Sequence, residues 1–184
     1  MIVVAIIGVL AALAIYGVRK YLATSKTAEA KNTIGTMARA AQAAYERETT
    51  ASQLVDDGAL SNASSHALCL SAAKAVPDGP PPAGTKYQPS TAPGVDFDAG
   101  NPLVGWQCLK FLITVPIYYK YYYVIGPGVG VAAGGPNPGA DGFEAAAQGD
   151  LDGNGVYSTF SRPGSIVNGQ VKVATHVYIN NEFE

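Results

Sequence analysis

The sequence predicts an α+β protein: one long N-terminal helix packed on a C-terminal antiparallel β-sheet head with long loops. Three observations carry this. Residues 1–18, MIVVAIIGVLAALAIYGV, hold no charge, and no proline follows before residue 77. Apolar residues alternate through KFLITVPIYYKYYYVI at 110–125 and again through Val171, Val173, Thr175, Val177 and Ile179. Glycine and proline, 21 and 12 of 184 residues, crowd into two stretches between these patterns.

The division is 1–18, a uniformly apolar helix half; 19–50, an amphipathic helix half; and 51–184, a β-rich head. Formal charge is −2, but unevenly placed. Residues 1–50 carry six basic and three acidic groups, net +3; residues 51–184 carry the other six basic and eleven acidic groups, net −5. No basic face serves a nucleic acid, so no specific nucleic-acid partner is expected. Two His and two Cys exclude most four-ligand zinc modules.

Eighteen helical residues span about 27 Å, close to a bilayer core of about 30 Å. A signal peptide would also be apolar, and Ala12-Leu13-Ala14 has the form of a cleavage site, but no basic stretch precedes it. A buried soluble helix is seldom apolar on every side. The membrane span is the best of these readings. Arg19 and Lys20 follow the span directly, which by itself would place the head in the cytoplasm.

From Tyr21 to Glu48 there is one glycine, no proline and much alanine, the best helix former. Ile34, Met37, Ala38, Ala41, Ala44 and Tyr45 recur at steps of three and four and predict the face that packs on the head. The expectation is one helix of about 45–50 residues, roughly 70 Å long. Its exposed half then requires lipid or copies of itself.

Residues 1–48 resemble the N-terminal helix of type IV pilins, in the apolar run, the position of Gly8 and the basic exit. In that family the mature chain begins Phe-Thr-Leu-Ile-Glu-Leu, cut from a short basic leader and methylated. Phe and Glu are absent here, so the resemblance implies that leader and processed terminus lie upstream of Met1. Tyr16 stands where the family commonly has proline. The resemblance implies an inner-membrane precursor with its head outside, assembled by dedicated machinery into an extracellular homopolymer for adhesion or motility. Ile2, Val3, Ile6, Ile7, Val9, Leu10 and Leu13 would bury in the filament core, while Ala5 and Gly8 allow close helix approach. A pseudopilin of a type II secretion system has the same architecture and is the first alternative. A membrane-anchored monomeric binding protein is the second.

In an exported head, Cys69 and Cys108 are most simply one disulfide, with two buried free thiols the alternative. Residues 77–102 should be irregular loop. Residues 110–125 read as strand, with Pro116 marking an edge, bulge or break. Residues 126–142 read as a flexible Gly/Pro/Ala loop. Asp150, Asp152 and Asn154, followed by Gly155 and the Val156 carbonyl, match the first half of a calcium loop. The twelfth position is Ser161 rather than a bidentate Glu, so an Asp/Asn/Gly turn between strands is the competing reading. Asn168-Gly169 is a hairpin signal ahead of a terminal strand. No phosphate loop, nucleophile elbow or paired carboxylates appear, and no enzymatic activity or resident cofactor is expected.

Overall fold

The structure, a computed structural model, describes residues 2–47, 49–50 and 64–184. Met1, Glu48 and residues 51–63, the first part of the expected head, lie outside the described residues. Helix α1 runs Ile2–Glu46 without interruption, 45 residues or about 68 Å. Tyr16 leaves every backbone N–H in place, and Gly17 is helical.

Strand pair β1 (Thr49–Thr50) and β2 (Ser64–Ser65) follows. A 3₁₀ turn, Asp96–Asp98, precedes β3 (Gly100–Asn101) and the short helix α2 (Gly105–Leu109). The main sheet takes β4 (Lys120–Ile125), β5 (Gly142–Gly149), β6 (Ser158–Val167), β7 (Gln170–Val173) and β8 (Tyr178–Asn180), with α3 (Val129–Ala132) between β4 and β5. Its order is β4-β5-β6-β7, all antiparallel, and β8 pairs with the other end of β6. The fold class is thus α+β, as the sequence predicts.

The predicted helix face is the buried one. Ile34, Met37, Ala38 and Ala41 have no exposed surface, and Ala44 and Tyr45 are buried beside them. Ile34 to Ala44 join Phe143, Ala145 and Ala147 of β5, Phe160 of β6, and Tyr119, Tyr121 and Tyr123 in one core. The alanines of β5 let helix and sheet approach closely, while the aromatic rings fill the flanks. Tyr119 meets Phe160 edge-on at 5.5 Å between ring centroids. Cys69 and Cys108 form the disulfide, 39 residues apart in sequence. Closing a loop of that length contributes about 4 kcal/mol in the chain-entropy model.

Three expectations are corrected. The terminal strand expected through Val171 to Ile179 is two strands, β7 and β8, which pair with opposite ends of β6, and residues 174–177 lie outside both. Residues 110–119 do not form a strand; the ladder covers only Lys120–Ile125. Lys110 ends α2 in the left-handed conformation, and Pro116 lacks a donor, so this stretch keeps one bridge, Tyr87 to Ile117. Its alternation of burial partly survives: Phe111, Ile117 and Tyr119 are buried, and Leu112 is exposed. Residues 126–142 are not a free loop. They contain α3 and are tied down by side chains from two strands. The Glu144 carboxylate of β5 accepts hydrogen bonds from the N–H groups of Gly128, Gly130 and Val131 at 3.0, 2.6 and 3.3 Å. Tyr178 and Asn180 of β8 donate to the Ala133 carbonyl at 2.6 and 3.0 Å.

The turn between β6 and β7 is as predicted. Asn168 and Gly169 both take positive φ, 54° and 73°, the pattern that favours Asn-Gly in tight hairpins.

Candidate assembly interface

An α-helix satisfies its own backbone, so its side chains decide what it can lie against. In α1 the head covers little before Thr27. Every described residue from Ile2 to Leu22 is exposed, from Ile2 at 77% to Leu22 at 53%. Ile2, Val3, Ile6, Ile7, Val9, Leu10 and Leu13 therefore stand open together, as do Ala5 and Gly8. A Cβ added at Gly8 would meet nothing within 4 Å. The segment is long and apolar enough to cross a membrane, and its most apolar window is not buried anywhere in the protein. Tyr16, Arg19, Lys20 and Tyr21 close it with the aromatic and basic residues typical of a bilayer boundary.

The head grips the second half of the helix through polar as well as apolar contacts. Glu29 accepts from the Tyr118 backbone N–H at 2.9 Å and the Tyr121 hydroxyl at 3.2 Å. Lys31 pairs with Glu182 near the C-terminal end of the chain. Lys26 of α1 and Lys86 of the loop flank the Tyr118 ring at 4.7 and 4.8 Å.

Burial at the helix–head seam raises the Glu29 pKa above the ordinary carboxylate range, outweighing the two hydrogen bonds and the nearby Lys86. An acid whose folded pKa is raised binds its proton more tightly folded than unfolded. Stability therefore falls as pH rises from the unfolded pKa through the folded one. In Glu29→Gln, whose amide oxygen still accepts from Tyr118 and Tyr121, unfolding titrations should lose this slope above about pH 4.3. Stability at pH 7 should match or exceed that of the unchanged chain. A large loss at pH 7 would mean that the carboxylate itself stabilises the seam.

The Asp150 loop is closed by its own backbone. The Asp150 carboxylate accepts from the N–H groups of Gly153, Asn154 and Gly155. Asp152 accepts from the Asn154 N–H, and Asn154 from the Val156 N–H. These are Asx-turn contacts between β5 and β6. Glu184, at the far end of the chain, accepts from Asn154 Nδ2 at 2.9 Å, a contact that sequence spacing does not reveal. No group of three or more His, Cys, Asp or Glu side chains is placed to hold a metal among the described residues.

The sequence-predicted residues thus divide into a buried helix–head seam, a disulfide, a closed acidic turn and an open apolar half-helix. Sequence reasoning missed Glu29 and Glu144, because neither belongs to a motif; their partners lie on other elements. No family model, no curated protein and no solved structure matches this chain.

Proposed function

We propose that this protein is the structural subunit of an extracellular type IV pilus filament. It polymerises through its N-terminal helix and is held in the inner membrane before assembly. The observation that carries the reading is the half-helix itself: the charge-free, fully exposed stretch 2–18, on a head that already has a core of its own. Before assembly, lipid covers that surface. In the filament, copies of the same helix cover it, side by side.

Burying one large aliphatic side chain contributes about 1.5–3 kcal/mol relative to water. A helix leaving lipid gains little of this, so close packing at Ala5 and Gly8 must drive association in the membrane. A contact between different faces of identical subunits repeats, and where the rotation does not close into a ring it yields a filament. The disulfide fits a head exported to an oxidising compartment. Assembly machinery would supply the work of extraction from the bilayer.

The test is to shear native cells and follow the chain. Most of it should leave with the sheared fibres. A chain found only in the membrane fraction would favour the anchored monomer, and short periplasmic polymers with no external fibre would favour the pseudopilin.

A further inference from the structure

Gly35 is the one glycine in the amphipathic half of α1, and it is buried. Glycine weakens a helix interior, so its place here needs a reason. Two arginines supply it. A Cβ at Gly35 would lie 3.2 Å from Nη1 of Arg162 and 3.8 Å from Nη1 of Arg39. Arg162 stands on β6 and reaches across to the helix, while Arg39 is one turn beyond Gly35 on α1 itself. The two Nη1 atoms are therefore at most 7.0 Å apart, the sum of those two distances.

No carboxylate pairs with either arginine among the described residues, where the ion pairs are Lys31–Glu182 and Lys74–Asp78. The acids of the elements packed here are engaged elsewhere. Glu29 accepts from Tyr118 and Tyr121, Glu46 from Gln42, and Glu144 from the backbone around α3. Like charges this close repel, and more so where one is half-buried, as Arg162 is. Each guanidinium is nevertheless held in place by a neutral acceptor. Arg39 donates through Nη2 to Thr36 Oγ1 at 2.9 Å, and Arg162 through Nε to the Ala174 carbonyl at 3.0 Å. Neither bond uses Nη1, and neither offsets charge.

We infer that Arg39 and Arg162 form a binding site for a phosphate-type oxyanion. Such an ion has oxygens about 2.5 Å apart, and each takes a charge-assisted bond of about 2.8 Å, so it bridges nitrogens up to about 8 Å apart. It spans this pair and removes the repulsion between them. Arginine's flat fork suits the task better than a lysine ammonium, because it offers phosphate two donors in a fixed plane. Gly35 completes the site by letting the Arg162 guanidinium lie against the helix. The site needs neither a membrane nor a second copy, so it stands apart from the filament reading.

The test uses the full chain in detergent, with inorganic phosphate as the probe and ionic strength held constant with sodium chloride. Calorimetric titration should show saturable binding, and phosphate should raise the denaturant midpoint as any ligand of the folded state does. Arg39→Gln changes an exposed side chain and should weaken binding about tenfold or more with the disulfide and fold intact. Arg162→Lys keeps the charge but loses the fork, and should weaken it similarly. Gly35→Ala keeps both charges and displaces the Arg162 guanidinium, so it too should bind less tightly. Lys110→Gln, on the far side of the disulfide, should bind as the unchanged chain does. No saturable binding by the unchanged chain would overturn the inference. So would equal stabilisation by chloride alone, an unchanged affinity in both arginine variants, or a loss in Lys110→Gln as large as in Arg39→Gln, which would mean that net charge and not this pair attracts the ion.

Discussion

Replacing Ala5 and Gly8 together by leucine should abolish fibres while leaving a folded protein in the membrane. Both positions are exposed, and nothing lies within 4 Å of a Cβ at Gly8, so neither change disturbs the subunit. Leucine in place of a mid-helix glycine even favours the helix by about 0.5–1 kcal/mol. In the proposed filament, what leucine removes is the flat strip along which two helices would approach backbone to backbone. Electron microscopy of sheared material should show no fibres, and membrane extracts should hold the chain at wild-type amount with its disulfide formed. Fibres at normal abundance would mean that these small residues are not at the packing face.

Glu144→Ala should strongly destabilise the head. The side chain is wholly buried, yet no cation pairs with it among the described residues; its charge is met by three backbone N–H groups at the start of α3. The approach is tight. A Cβ on Gly130 would come within 2.3 Å of Ser161, which is why glycine is needed there. Truncating Glu144 leaves three donors without their acceptor and a gap under the loop, a loss of about 3 kcal/mol. Denaturant unfolding of the detergent-solubilised full chain, followed by the fluorescence of the buried Trp106, should show this. Glu144→Gln keeps one acceptor and should lose less. An unchanged midpoint in Glu144→Ala would show that the carboxylate is dispensable to the loop.

Sequence periodicity reached far in some places and not in others, for physical reasons. Helix α1 and its buried stripe, Ile34 to Tyr45, were legible because a continuous helix maps spacing directly onto faces. The Asn168-Gly169 hairpin was legible because both residues must take positive φ. In residues 110–119 the alternation matches burial at Phe111, Ile117 and Tyr119 but not at Val115, which is exposed, and no strand pairing comes with it. Lys110 and Pro116 removed the ladder while Phe111 and Ile117 stayed inside. Strand β5, GFEAAAQG, is buried almost throughout, so it carries no in-out pattern, and alanine alone is no strand signal. A cleft at the base of the head joins Leu22 to Phe183 across most of the chain, and only the fold brings them together.

In the proposed filament, α1 would pack against α1 of neighbouring copies, apolar half inward and head outward. Helical reconstruction of sheared fibres by electron cryo-microscopy tests it most directly. The predicted image is a core of parallel helices containing Ile2 to Leu13 packed at Ala5 and Gly8, with Cys69–Cys108 heads on the surface. Fibres whose core is built from heads, with the apolar half-helix outside, would contradict the account.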